Sequence, residues 1–455
     1  EISGSTITQE VVDKLSTYET LKKLQFTRVD VADNLNMESL NIDQFIYYDL
    51  KSTRKNKFRG NYVKENFLST LNNVNKIKLT GFMVSQNTVN ELGSLTNSKT
   101  FDFEDCRFDE NIDYSSLKKA NELLFSSYLT DDIFTEFSES ICKLKNLKSL
   151  RIFNGQIPTI PDCISNLKKL EVLDLTHNQI AKVPDSFEEL TKLKELYLSF
   201  NALTAIPKII EENSRLEKLD LSGNEITKFT DTICSLEKLK ELNLGSNKLV
   251  KIASCIDDLT RLKILELPNN QIKSIPSSIS ILKKLEVLNL SNNNISSIPK
   301  TLKTLKNLKE LYLRQNSLAE FPTTILNLKK LVKLYLGFNN INKLPENIGN
   351  LVNLKELELI SNEITNLPHS LGQLKDLENL DLSFNKINDT IPESLNELQQ
   401  LKTINLDNNI DIKGKTLTNP NLLHCEYNID FNASENGICL VENSSCIPFQ
   451  QLPAC

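Results

Sequence analysis

Asparagine recurs at a fixed step of 23 residues through the middle of this 455-residue chain, at Asn178, Asn201, Asn224, Asn247, Asn270, Asn293, Asn316, Asn339, Asn362 and Asn385. Each stands in the same frame, as in Leu170, Leu173, Leu175, Asn178 and Ile180. A period of this length calls for like units stacked side by side, because one such unit cannot bury its apolar side alone. The first half of a unit alternates apolar and polar residues, which is the period of a strand. The second half reads as Ile275, Pro276, Ile279 and Leu282 do. Proline there fixes φ and removes a donor, so the return segment is expected to be extended or a short helical turn. The expected fold class is an α/β solenoid, with parallel strands about 4.8 Å apart on one side. The bulkier return segments lie on the other side and bend the stack into an arc. The asparagine side chain carries donors and an acceptor, which suits it to satisfying backbone groups where the chain turns off the strand into the core. The ladder is therefore read as scaffold.

The regular units begin at Leu147 and step to Leu377; one more begins at Leu401 after a one-residue insertion near Asp389, with Asn409 on its ladder. The frame continues faintly upstream in Leu21, Leu24, Phe26, Val29 and Val31, and in Val74, Ile77, Leu79, Phe82 and Val84. It recurs in Ser98, Phe101, Phe103, Cys106 and Phe108, and in Ala120, Leu123, Phe125 and Tyr128. Three regions are expected: residues 1–140 as an N-terminal cap with degenerate repeats, 141–410 as regular repeats, and 411–455 as a Cys-rich C-terminal cap.

Composition narrows the function. With 39% hydrophobic and 25% charged residues the chain has a folding composition. The net charge of −6 comes with no basic run, so the sequence argues for neither nucleic acid nor a membrane surface as partner. No apolar run approaches the roughly 20 residues that span a bilayer. The chain begins at Glu1, which fits a removed signal peptide or simply a boundary of the piece. Its three histidines, His177, His369 and His424, have no metal-spaced or triad-like partner, and no Gly-rich phosphate loop appears. No catalytic residue, metal or cofactor is expected.

The cysteines carry more information. Cys142 and Cys163 are 21 residues apart, and so are Cys234 and Cys255, in matching contexts. In a 23-residue repeat each pair falls on the return segments of adjacent turns, so two disulfides are expected, Cys142–Cys163 and Cys234–Cys255. Most units carry proline in the return segment, whereas the two holding the second pair carry Thr230 and Ala253; the crosslink there is expected to replace proline as the constraint. Cys425, Cys439, Cys446 and Cys455 allow three connectivities, of which Cys425–Cys446 with Cys439–Cys455 is favoured. Terminal clusters of this kind staple a core in an oxidising compartment. Sequons stand at Asn289, Asn294, Asn388, Asn432 and Asn443. All except Asn289 are taken as glycosylation candidates.

The core pattern L-x-x-L-x-L-x-x-N-x-I-x-x-I-P-x-x-I resembles the leucine-rich repeat family over roughly residues 20–410, and in period the 23-residue class of cytosolic Ras-binding and scaffold proteins. That resemblance implies a horseshoe with a parallel sheet on its concave face. It also makes cysteine an accepted ladder substitute, so Cys106 is expected to be a buried free thiol. The ends look different. The Cys-rich tail resembles the C-terminal caps of secreted and cell-surface members, such as receptor ectodomains and plant polygalacturonase inhibitors. The stretch Ile387-Asn388-Asp389-Thr390-Ile391-Pro392 resembles extracellular plant-type repeats, which share its extra residue. The family implies a binding mode and no catalysis.

On the concave face the position between the paired leucines carries Arg151, Asp174, Tyr197, Asp220, Tyr312, Tyr335, Glu358 and Asp381, among others. The position before the ladder residue carries Phe200, Phe338 and Phe384. Two aromatic patches result: Tyr197 with Phe200, and Tyr312, Tyr335 and Phe338 flanked by Arg314, Glu358, Asp381 and Phe384. Exposed aromatics beside arginine and carboxylates have the composition of binding hot spots. Asn289 points to the same face, where a glycan would obstruct it. The expected function is a secreted or cell-surface recognition protein, non-enzymatic, binding a protein or glycan on this face. The alternatives are a cytosolic Ras-associated scaffold, and an extracellular structural or adhesive protein that assembles with copies of itself.

Overall fold

A computed structural model of the chain describes residues 1–49, 61–127, 134–409, 412–427 and 438–439. Its chain contacts divide into two units, Glu1–Asn224 and Glu225–Cys455.

In the first unit the strands of the main sheet follow one another in chain order, each parallel to the last. They are Ile2–Ser3, Lys23–Thr27, Gln44–Tyr48, Lys76–Thr80, Thr100–Glu104, Glu122–Ser126, Ser149–Phe153, Val172–Asp174, Glu195–Tyr197 and Lys218–Asp220. The register stacks like on like: Leu150 opposite Leu173, then Leu196, then Leu219. Strands also occupy the faint upstream frames. Gln44–Tyr48 is one that sequence reading misses, because Phe45, Ile46 and Tyr47 are all buried and show no alternation. Where asparagine is missing from the ladder, rings fill the core. Phe26 lies edge-on to Phe45 at 5.2 Å, Tyr47 meets Phe82 at 4.5 Å, and Phe103 stacks with Phe125 at 5.4 Å. Cys106 is a free, fully buried thiol donating to the Leu79 carbonyl oxygen at 3.4 Å; burial pushes its pKa up to about 12.

The second unit repeats the scheme with three-residue strands, among them Val287–Asn289, Glu310–Tyr312, Lys333–Tyr335, Glu356–Glu358 and Asn379–Asp381, ending in Thr403–Leu406 and His424–Tyr427. The ladder works as a set of backbone clamps. Asn339 Nδ2 donates to the carbonyls of Leu313, Leu336 and Gly337 at 2.9, 2.9 and 3.2 Å, and its Oδ1 accepts from Leu318 N at 3.0 Å. One side chain thus satisfies buried groups in two adjacent turns. The fold is the expected parallel-sheet solenoid.

Return segments are mostly single 3-10 turns entered through proline in extended conformation, such as Ser277–Ile281 after Pro276 and Thr323–Asn327 after Pro322. Both mid-chain bridges are present, Cys142–Cys163 in the first unit and Cys234–Cys255 in the second, each joining adjacent return segments. The favoured bridges Cys425–Cys446 and Cys439–Cys455, and the sequons at Asn432 and Asn443, lie outside the described residues, as does Tyr128.

One core position breaks the pattern. Each return segment closes on a buried leucine (Leu144, Leu167, Leu190) until Asn213 takes the place, fully buried. Its Nδ2 donates to Leu190 O at 3.2 Å, while Oδ1 has no hydrogen-bond partner among the described residues. An orphaned buried acceptor costs about 1–3 kcal/mol. Asn213→Leu is therefore expected to stabilise the first unit by about that amount. A urea unfolding curve whose midpoint falls or stays put would refute this.

Candidate functional site

Every regular turn leaves its strand through a residue in the left-handed region. These are Asn154, His177, Phe200 and Gly223 in the first unit, and Ser246, Asn269, Asn292, Gln315, Phe338, Ser361, Phe384 and Asn408 in the second, with φ between 50° and 64°. Glycine and asparagine tolerate that conformation; for a bulky side chain it costs on the order of 1–3 kcal/mol. Phe200, Phe338 and Phe384 nonetheless stand there, 48%, 41% and 53% exposed. They therefore meet an unfavourable backbone conformation without the gain of burial.

In the second unit the face row is continuous, with Tyr312 opposite Tyr335, then Glu358, Asp381 and Asn405. The two tyrosine rings meet edge-on at 5.0 Å. Each phenol is tied down: Tyr312 donates to Glu310 Oε2 at 2.6 Å and Tyr335 to Glu356 Oε2. Burial, then these carboxylates, raise both phenol pKa values well above the ordinary range. The Arg314 guanidinium joins the row to the turn, with its Nε 3.0 Å from Glu358 Oε1 and its central carbon 5.4 Å from the Phe338 ring centre. Glu358 Oε1 takes no well-aligned hydrogen bond, and Arg314 is its counterion. Burial nevertheless outweighs the arginine and pushes the Glu358 carboxyl up. Gly337 makes room for that carboxylate, since a Cβ there would sit 2.6 Å from Glu358 Oε1. The face is thus a preorganised surface with two rings, one cation–π contact and one half-buried ion pair.

Asp381, a residue of the face row, is also tied into its own turn. Its Oδ1 accepts from Ser383 N at 3.0 Å and Ser383 Oγ at 2.6 Å. Asp174 and Asp220 do the same with Thr176 and Ser222. These carboxylates brace the turn after their strand, so the acidic row is largely structural. Asn289 braces Ser291 N in the same way, at 3.0 Å. Asn294 and Asn388 are exposed.

The first-unit patch is smaller. Tyr197 donates to Glu195 Oε2 at 3.0 Å, and Phe200 stacks face to face on His177 at 4.2 Å with its ring over Gly223. Beside Tyr335, Glu358 and Asp381 the second unit has a concavity of about 430 Å³ that also takes in His424 and Glu426. Those two lie beyond the last ladder residue, where the repeat no longer supplies a register, and sequence reasoning missed them. Among the described residues no cluster of His, Cys, Asp and Glu is arranged to hold a metal ion, and no helix is long and apolar enough to cross a membrane.

The sequence matches the family profile described as a leucine-rich repeat region at residues 135–252 and 284–435, and the profile for two-copy leucine-rich repeats at 260–304. Among solved structures the chain is similar to the Leptospira interrogans leucine-rich repeat protein LIC12759, at 32% identity over 72% of this chain and 81% of that one, with a TM-score of 0.65. It is also similar to the Listeria monocytogenes internalin inlF, at 24% identity over 70% of this chain and 88% of that one, TM-score 0.61. A third is the plant peptide hormone receptor RGFR1 in complex with RGF2, at 21% identity over 86% of this chain and 70% of that one, TM-score 0.56. The latter two likenesses speak to fold alone. No curated protein sequence matches significantly. The period, the asparagine clamps, the profile matches and the Leptospira relative agree: the chain belongs to the leucine-rich repeat family.

Proposed function

We propose that this is a secreted or cell-surface recognition protein without enzymatic activity, binding a protein or glycan on its sheet face. The contact patch is Tyr312, Arg314, Tyr335, Phe338, Glu358 and Phe384, with Asp381 bracing it from below. Tyr197 and Phe200 form a lesser patch in the first unit. The observation that carries this reading is the strained, exposed phenylalanines. Asn154, Asn269, Asn292 and Asn408 hold the same backbone position, so a residue suited to it is in use elsewhere in the chain. Phe338 and Phe384 give the fold little in return, and strain without a packing reason is a mark of function. The two internal disulfides favour an oxidising compartment. A peptide segment is one fitting ligand, as in the plant receptor complex. In this reading residues 1–140 and 411–455 cap the two ends, 141–410 recognise, and Asn294 and Asn388 are open to glycosylation.

The test is the variant carrying Tyr335→Ala with Phe338→Asn, compared with the parent chain on a glycan array and in capture from extracellular material. Loss of a hot-spot pair is expected to weaken binding of the captured species by about 30-fold or more. Relief of the backbone strain keeps the urea midpoint at or above that of the parent. Undiminished affinity would remove this patch as the site.

A further inference from the structure

The repeat also builds a surface that no stretch of sequence displays. Between Leu267 and Pro345 the carboxylates are Glu286, Glu310 and Glu320, against twelve lysines and arginines, in a chain whose net charge is −6. The fold gathers part of this excess onto one ridge. The loops that precede three successive strands of the second unit carry Lys283 and Lys284, then Lys306, then Lys329 and Lys330, all exposed. Lys303 stands exposed on the return turn Lys300–Thr304 beside them. Strand pairing sets these turns about 4.8 Å apart.

At two other turns the lysine in this position is neutralised. Lys168 meets Glu189 at 2.5 Å, 21 residues on, and Lys375 meets Glu397 at 2.8 Å across one turn. On the ridge the matching places hold Thr304, Asn327 and Asn350. Lys306 Nζ donates instead to the Asn327 carbonyl at 3.0 Å, Lys329 Nζ to the Asn350 carbonyl at 2.8 Å, and Lys283 Nζ to the Ser280 carbonyl. Carbonyls at the ends of short helical turns orient an ammonium group but do not cancel its charge. Among the described residues none of Lys283, Lys284, Lys303, Lys306, Lys329 and Lys330 forms an ion pair. Lys309 and Lys333, one step nearer the sheet face, do pair, with Glu286 and Glu356. On the outer ridge the lysines of three successive turns thus lack the carboxylates that Lys168 and Lys375 have.

We propose that this ridge is a second binding surface, distinct from the aromatic face, and that it takes an extended sulfated polysaccharide. A row of like charges with open ends suits a polymer that repeats its anions. The charges are lysine ammonium groups, which hold anions as points and do not grip them in a planar fork. No aromatic residue lies among them to stack on bases, as single-stranded nucleic acid binders require. Two exposed apolar residues, Ile281 and Val352, flank the ridge, too few to enter a lipid surface. The two disulfides favour the compartment in which sulfated polysaccharides occur.

The probe is heparin, with binding measured across a salt series. Binding should weaken linearly in log salt, and Lys283→Gln/Lys306→Gln/Lys329→Gln should weaken it by about tenfold or more while making the slope shallower by about three. The sharper variant leaves every lysine in place. Thr304→Glu/Asn327→Glu/Asn350→Glu installs the acids that Glu189 and Glu397 supply elsewhere, and should abolish binding with the unfolding midpoint preserved. Lys168→Gln, in a turn that is already neutralised, should leave binding unchanged. The proposal is overturned if heparin does not bind, if neither triple variant weakens it, or if a single-stranded DNA oligonucleotide or phosphatidylserine vesicles bind more tightly than heparin.

Discussion

Asn339→Ala is expected to destabilise the second unit by about 3–5 kcal/mol. The side chain is buried and makes four hydrogen bonds, three donated by Nδ2 and one accepted by Oδ1. Alanine keeps none of them. It strands the Leu318 N–H in a place water does not reach, at about 1–3 kcal/mol, and costs about 0.5–1.5 kcal/mol for each of the three donated bonds, although the Leu313 and Leu336 carbonyls keep Asn316 and Asn362 as second donors. Some of that cost is recovered as the turn relaxes, hence the lower sum. Asn339→Asp should be no better, since a carboxylate accepts but cannot donate to those carbonyls. Asn339→Cys should fall between, because Cys106 shows that a thiol can hold one carbonyl on this ladder, at 3.4 Å. Urea unfolding followed by far-UV circular dichroism measures all three. A loss under about 1 kcal/mol for alanine would mean that ordered water replaces the side chain and that the ladder does not clamp the turns. In a stacked protein the loss also propagates unevenly, so a broadened or split transition is itself an expected sign.

What can be read in the sequence, and what cannot, follows from the same repeat. Leu170, Leu173 and Leu175 repeat at a fixed step, so spacing alone makes their faces and partners legible. The pairing of Cys142 with Cys163 and of Cys234 with Cys255 is legible for the same reason, since two matched spacings in one register put both thiol pairs on adjacent turns. Gln44–Tyr48 is not legible, because Phe45, Ile46 and Tyr47 are buried together and show no alternation. Asp381 is visible as a face residue, but its bond to Ser383 depends on the side chain's direction, which spacing does not give. His424 and Glu426 lie past Asn409, where the register ends. The lysine ridge escapes for the opposite reason. Lys283, Lys306 and Lys329 are 23 residues apart in sequence and adjacent in the stack, so a search for a basic run passes over them. The strain at Phe338 is visible only in its φ of 54°. The sequence shows that a phenylalanine stands there, and the backbone shows that asparagine would suit the place better.

Removing the second bridge, by Cys234→Ser with Cys255→Ser, is expected to cost about 3 kcal/mol. That figure follows from the loop it closes, 21 residues in sequence separation, through the chain entropy restored to the unfolded state. The first bridge closes a loop of the same length and should cost a similar amount. The two sites differ in what else holds the return segment. Pro161 leads into the turn carrying Cys163, whereas Ala253 leads into the turn carrying Cys255. Ala253 already has φ −65° and ψ 149°, close to the −67° and 147° of Pro276 one turn later. Ala253→Pro is therefore compatible with the fold and should return about 0.4–1 kcal/mol to the bridge-less variant by stiffening its unfolded chain. Thr230, at φ −103°, lies outside the range of a proline ring, and Thr230→Pro should give no such gain. The outcome that would defeat this account is equal rescue by both prolines, or none by Ala253→Pro; in either case the missing prolines beside Cys234 and Cys255 would have nothing to do with the crosslink. Thiol titration of the denatured variant confirms that the remaining bridge is intact, so that a loss of stability is assigned to the bridge removed.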